Sequence, residues 1–259
     1  MNVALSIAGS DPSGGAGIQA DVKTFHQFGV YGEAVVTLIT VQNTLGVERV
    51  ECLPPDLVAQ QIRAVLDDIP PQAIKLGALG NAAIIEAVAG ALEHSNVPLV
   101  IDPVMISKHG APLLATDAVD AFKQLLLRRA SLITPNLPEA AALTGRTVDT
   151  PEQMASAAEA LMNAGARAVL IKGGHLAGSH ANDLLLVQDG EHWLEQERIE
   201  TRHTHGTGCT YAAAITAELS RGASLIQAVD RAKRFVTNAI QTAPDLGKGA
   251  GPLNHLARI

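Results

Sequence analysis

The feature that most constrains this chain is a regular exchange of two patterns. Short, almost wholly apolar segments alternate with longer segments of helical periodicity. Residues 3–8, 33–41, 73–76, 99–102, 132–134 and 168–172 read as strands. Between them, residues 18–28, 55–69, 81–94, 116–128, 138–144 and 152–164 read as helices, with Asn81 placed to cap the third. Strands apolar on both faces belong in a parallel sheet covered by helices on both sides. Residues 184–188 and 193–196 flank Asp189-Gly190, a hairpin signal that adds antiparallel strands at one edge. Two apolar helices, 208–220 and 225–242, close the chain. No repeat, low-complexity tract or linker interrupts the pattern, so one domain over 1–259 is expected.

Composition removes several function classes. The 259 residues carry 19 Lys+Arg against 26 Asp+Glu, a formal net charge of −7, which argues against a nucleic-acid partner. Aromatic residues make up 3% of the chain, too few for a base-stacking platform. Two cysteines, Cys52 and Cys209, cannot build a disulfide framework. No apolar run reaches the ~18 residues of a membrane span. The first cation is Lys23, so the start does not read as a signal peptide, and a cytoplasmic protein is expected.

In a parallel sheet, ligands bind beyond the C-terminal strand ends, so the turns there hold the chemistry. The first runs from Gly9 to Gly17 and leads into Ile18-Gln19-Ala20-Asp21. Its glycines and the free N–H groups of the next helix suit a ligand approached by backbone; a plain tight turn is the alternative. Gly15 to Ala20 also fits a dinucleotide fingerprint, but no acidic residue ends the second strand and no Walker A lysine follows. The second turn is His205-Gly206-Thr207-Gly208-Cys209-Thr210, an anion cradle at a helix start. That position should lower the Cys209 pKa towards a thiolate; a small buried residue is the bland alternative. Asp102 and Glu139 follow consecutive strands, beside Asn136, and offer oxygen ligands for Mg²⁺ or caps for helices. Lys172 ends a strand before Gly173-Gly174, and Lys233 lies in the last helix; either could meet a phosphate. His175, His180, His203 and His205 are irregularly spaced and no Cys or Glu completes a zinc set. No Gly-x-Ser-x-Gly elbow supports a hydrolase.

Taken in order, these pieces resemble the ribokinase-like superfamily, and within it the hydroxymethylpyrimidine/phosphomethylpyrimidine kinases of thiamine biosynthesis. The resemblance covers nearly the whole chain. It rests on the segment from Ser10 to Asp21, Thr40-Val41-Gln42-Asn43-Thr44, Lys75-Leu76-Gly77, Asp102-Pro103-Val104, Thr134 to Glu139, His203 to Thr210 and Gly249 to His255.

The resemblance implies a three-layer αβα sandwich with a mostly parallel central sheet and an antiparallel edge hairpin. It implies a kinase with a small pyrimidine substrate and ATP as co-substrate. Gln42 would hydrogen-bond the aminopyrimidine, whose ring nitrogen and amine need one donor and one acceptor. Gly9, Asp21, Gly77 and Ala78 would line the same pocket. Gly206, Thr207 and Gly208 would form the anion hole, with Cys209 at the position of the base. Asp102 and Glu139 would organise Mg²⁺ through water, Asn136 would join the nucleotide site, and Lys172 and Lys233 would face the nucleotide. K⁺ is a candidate helper cation, a homodimer is expected, and residues 173–182 are the expected closing loop. Ala78 stands where the family often carries Met, which predicts looser ring selectivity. A pyridoxal/pyridoxine kinase is the near alternative, and a non-catalytic binding protein of the same fold the far one.

Overall fold

The computed structural model describes residues 1–107, 110–115 and 118–259; the first two residues of the helix expected at 116–128 lie outside them. Among the described residues nine strands form one sheet. From edge to edge they run β3 (Gly46–Cys52), β2 (Tyr31–Asn43), β1 (Val3–Ser10), β4 (Ala73–Leu76), β5 (Leu99–Ile101), β6 (Leu132–Ile133), β7 (Val169–Ile171), β8 (Asp183–Val187) and β9 (Gly190–Leu194). The six strands from β2 to β7 are mutually parallel, and β8 and β9 form the expected antiparallel hairpin.

Helices cover both faces, and the alternation of each strand decides which side chains meet which helices. On one face Leu5, Ile7, Leu76, Ile101 and Ile133 pack against α2 (Pro55–Asp68), α3 (Ala82–Ala91), α4 (Ala118–Leu125), α5 (Leu137–Thr144) and α6 (Pro151–Asn163). On the other face Ala4, Val100, Leu132 and Leu170 meet α1 (Gly17–Gln27), α7 (Thr207–Ser220) and α8 (Leu225–Gln241). The neighbours Val100 and Ile101, like Leu132 and Ile133, point to opposite layers. That is why these strands are apolar throughout. Helix α7 reaches the sheet with Ala212, Ala213 and Ala214, all fully buried, so its backbone lies close to the strands. Phe28 and Phe235 lock α1 to α8 edge to face, with ring centroids 5.0 Å apart. Among the described residues no helix is long and apolar enough to cross a membrane.

Two features depart from the sequence reading. The second edge of the sheet is also antiparallel, because β3 folds back on β2. Its alternating segment Val47-Glu48-Arg49-Val50-Glu51 carries the strand signal, yet the sequence reading left it without a strand. The second feature is a bulge. Ala8 pairs with Val36 but Ser10 pairs with Ile39, so β2 carries an extra residue there. The extra residue changes which face each side chain takes. Before it, Glu33, Val35 and Thr37 are buried; after it, Leu38, Thr40 and Gln42 line a cavity while Ile39 and Val41 face out, about half exposed.

Candidate active site

A cavity of about 710 Å³ opens beyond the C-terminal ends of the parallel strands. Its walls come from the turns after β1, β4, β5, β6 and β7, the end of β2, and the N-terminus of α7. The strand order diverges between β1 and β4, which places this crevice where open α/β sheets hold ligands.

The two glycine turns are joined to one another. Asp11 accepts from the Ser13 amide at 2.9 Å, the Ser13 hydroxyl at 2.7 Å, and the amides of Gly15 at 3.1 Å and Ala16 at 2.8 Å. The first turn therefore uses the amides of Ser13, Gly15 and Ala16 internally, while the helix that follows starts at Gly17 with no side-chain cap. Asp11 also meets His205 Nε2 at 2.8 Å. Burial alone would raise the Asp11 pKa, but the hydrogen bonds from His205 and Ser13 outweigh it and hold the carboxyl below its ordinary value. Gly206 sits at φ +81°, and a Cβ there would lie 1.8 Å from Gly15 O. Only glycine fits that left-handed, tightly packed position.

Gly206 opens α7 with no side chain capping the helix; the Thr207 amide turns back to Thr204 O at 3.3 Å, and the helix start at Thr207, Gly208 and Cys209 borders the cavity with the positive end of its dipole. Opposite them stands Lys172, whose Nζ would be 3.1 Å from a Cβ on Gly208. Lys172 donates to Asp102 Oδ1 at 2.7 Å and lies 4.0 Å from Glu139. Burial alone would lower the Lys172 pKa, but the two carboxylates raise it, so the ammonium stays charged. Asn136 and Glu139 form a capping box on α5, with Glu139 accepting the Asn136 amide at 2.8 Å. Glu139 thus caps a helix and lines the cavity at once. Burial, helped by Asp102, pushes its carboxyl up to about 7 against the pull of Lys172.

Lys75 belongs to the cavity floor, although none of its surface is exposed to solvent. Its Nζ donates to Asp21 Oδ2 at 2.7 Å, and the Ser6 hydroxyl donates to the same oxygen at 2.5 Å. Burial would lower the Lys75 pKa, but Asp21 and Asp102 raise it above its ordinary value. Two expected lining residues are relocated here. Asp21 is fully buried behind Lys75 and does not line the cavity. Gly77 does not line it either; a Cβ there would lie 2.8 Å from Ala8 Cβ and 3.0 Å from Lys75 Nζ, so the glycine makes room for the lysine.

Cys209 reverses its expectation. Burial, with Asp21 and Asp102 nearby, pushes the thiol up to about 11, against the lowering pull of Lys75 and the Gly17 amide. A helix N-terminus by itself lowers a thiol pKa. Here Cys209 is partly buried in the cavity wall, and desolvation with the two carboxylates outweighs the helix start and favours the neutral thiol.

The remaining expected residues take these places. Gln42, Gly9 and Ala78 line the end of the cavity nearest β2, where Gln42 Nε2 donates to Thr40 Oγ1 at 2.7 Å. Lys233 lines the opposite end and donates to Asp183 Oδ2 at 2.6 Å. Asp183, which the sequence reading missed, also accepts the Gly173 amide at 2.9 Å and so fixes the turn after β7. Its sequence signal was a carboxylate at the mouth of the apolar run Leu184-Leu185-Leu186. The expected closing loop at 173–182 is tied to Arg198 in this structure. Arg198 donates to the carbonyls of Gly174, Leu176, Gly178 and His180 within it.

An anion-binding helix start facing a lysine and two carboxylates, in a crevice of this sheet, defines a small-molecule kinase of the ribokinase-like fold. Residues 11–254 match the profile of the phosphomethylpyrimidine kinase family, and the chain belongs to that family. It is 49% identical to the hydroxymethylpyrimidine/phosphomethylpyrimidine kinase of Haemophilus influenzae, over 98% of this chain and 96% of that one. Among solved structures it is similar to a Bacillus subtilis pyridoxal kinase in complex with ADP, with TM-score 0.92, 40% identity, and 99% and 98% of the two chains covered. It is also similar to a phosphomethylpyrimidine kinase from Clostridium difficile, with TM-score 0.82, 41% identity, and 93% and 100% covered.

Proposed function

We propose that the protein transfers phosphoryl groups from ATP to 4-amino-5-hydroxymethyl-2-methylpyrimidine and then to its monophosphate, as a step of thiamine biosynthesis. One observation carries this reading. A single cavity holds an amide-bearing recognition end at Gln42 and, across it, the open start of α7 facing Lys172.

Gln42 offers both a donor and an acceptor to the aminopyrimidine edge, and Gly9 and Ala78 accommodate the ring. The acceptor hydroxymethyl points to the start of α7. The amides of Gly206, Thr207 and Gly208, with the helix dipole, stabilise the charge on the transferring group. Lys172 and Lys233 neutralise the nucleotide phosphates, and Asn136 flanks them. Asp102 and Glu139 suit Mg²⁺. Their carboxylates sit beside the phosphate-facing lysine, and a dication held through one or two carboxylates and water is the usual arrangement for nucleotide-bound Mg²⁺. The ion would neutralise charge on the nucleotide.

Cys209, as a neutral thiol, positions the acceptor oxygen rather than removing its proton. A loose phosphoryl-transfer transition state needs little early deprotonation, so charge stabilisation and alignment dominate. We read the enzyme as a cytoplasmic homodimer. The outward side chains Ile39 and Val41 of β2, together with Leu45, supply an apolar surface for a second copy.

The deciding assay measures ADP release from MgATP with the pyrimidine, its monophosphate and pyridoxal offered separately. Turnover of the first two is expected. Turnover with pyridoxal alone would overturn the acceptor assignment. That second reading has its own support, since Ala78 leaves room beside the ring and pyridoxal kinases share this fold closely. No ADP with any acceptor, from folded protein, would point to a binding protein.

A further inference from the structure

Two motifs singled out in the sequence have no part in the chemistry described so far: Asn43-Thr44, just after Gln42, and Gly249-Ala250-Gly251. The structure brings them together. Beyond α8 the chain returns as a strap, residues 245–252, that bonds to Thr44 and to the turn at His203 and His205. One part of it grips Thr44. The Ala250 amide donates to Thr44 O at 2.9 Å, and the Gly249 amide donates to Thr44 Oγ1 at 3.2 Å. The approach leaves no room for a side chain, because a Cβ on Gly249 would lie 2.0 Å from Thr44 O.

The other part of the strap holds the phosphate turn. The His205 amide donates to Gly251 O at 3.1 Å, and a Cβ on Gly251 would lie 2.2 Å from His203 Nδ1. Asp245 anchors the strap's start through His203 Nε2 at 2.7 Å and Arg202 at 2.9 Å. From His205 the linkage continues to Asp11 at 2.8 Å. A short bonded path therefore joins the residue two beyond Gln42 to the residue just before Gly206.

We propose that this strap sets the separation between the acceptor-recognition turn and the phosphate turn, with Thr44 and Gly249 as positioning residues for phosphoryl transfer. The proposal rests on the functional reading above, in which Gln42 holds the acceptor and α7 the phosphoryl group. Transfer requires the reacting atoms roughly 3–3.5 Å apart, and a misplacement of about 1 Å costs ~10²-fold. The β2–β3 turn needs such a brace. It ends a two-stranded flap at the sheet edge, and Leu45 at its tip is 62% exposed.

The test uses the full chain. Hydrogen exchange is compared between the wild type and Gly249→Ala. Exchange should speed at least about tenfold at both ends, the amides of 43–45 and of 205–208, with β5 to β7 unchanged. Acceleration at 43–45 alone, or at neither end, overturns the strap. In kinetics, Thr44→Val should lower kcat about tenfold or more while the ATP KM stays within about twofold, and Thr44→Ser should restore kcat. Equal losses in both KM values and kcat, or no change, would mark Thr44 as merely structural and overturn its role. If the wild type turns over no pyrimidine, the functional reading fails, while the exchange comparison still decides whether the strap couples the two turns.

Discussion

Two kinds of lysine–aspartate pair underlie the same cavity. Lys75–Asp21 is sealed, with both side chains 0% exposed. Lys172–Asp102 and Lys233–Asp183 stand in the wall, where each lysine side chain is 13% exposed. The N–O distances are nearly equal at 2.7, 2.7 and 2.6 Å, so geometry does not separate them. Access does. A lysine in the wall can meet a phosphate while keeping its buried carboxylate partner, because its own side chain reaches the cavity. A sealed lysine has no such access, so its charge acts only on what lies nearby. The sealed pair belongs to stability and to the local field, and the wall pairs to ligand binding.

That division is open to direct attack. The largest effect is expected from Lys75→Met, which leaves Asp21 as an unpaired buried carboxylate and should cost about 3–5 kcal/mol of unfolding free energy. Urea unfolding measures it, and a loss near zero would mean the pair is not ionised. Lys172→Met should do the opposite. It should lower kcat about 10²–10³-fold, as for loss of a charge-stabilising donor, with a much smaller shift in the unfolding midpoint. A large stability loss without a kinetic one would erase the distinction between the pairs.

His255 tests the sealed class through pH. It packs behind α7, where its Nε2 lies 3.1 Å from Thr210 Oγ1. Burial, with Lys23 and His205 adding to it, lowers its pKa from 6.5 to about 4. The unfolded chain therefore takes up this proton before the folded one does. Its contribution is fully present above pH 6.5 and is lost as pH falls from 6.5 towards 4, by roughly 3 kcal/mol. Unfolding free energies of wild type and His255→Asn, measured from pH 7.5 down to 5, should converge; parallel curves would refute the shift.

The smallest effect belongs to Cys209, which borders both classes. Cys209→Ala should keep turnover within about tenfold of wild type, because a neutral thiol contributes contact rather than proton removal. In a Cys52→Ser background, alkylation of Cys209 should be slow at pH 8 and rise only towards a pKa of about 11. Fast alkylation at neutral pH would restore the thiolate reading.

Much of this molecule was legible in the sequence. The parallel strands carry apolar residues on both faces, so their type and layering follow from composition alone. Gly206 to Cys209 could be placed at a helix start, and Lys172 and Asp102 at strand ends, because these positions follow from where apolar runs stop. The outer strand β3 was missed because it is nearly half charged and lies at an edge, where most of its side chains meet solvent. Asp21 and Gly77 were misjudged because burial is a property of the packed chain, and Cys209 because its neighbours Asp21, Asp102 and Lys75 are brought to it only by packing.

The order of elements, and the turns that could hold a phosphate, can be read along the chain. Local pattern settles both, since each depends on residues within a few positions of one another. Only the tertiary structure decided the environment of each group. The bulge in β2 turned Thr40 and Gln42 into the cavity, and the packing of α7 against β4 set Lys75 and Asp21 beside Cys209. Desolvation and Coulomb interaction depend on distance in space rather than along the chain. The charge state of Cys209 was therefore fixed by residues far from it in sequence.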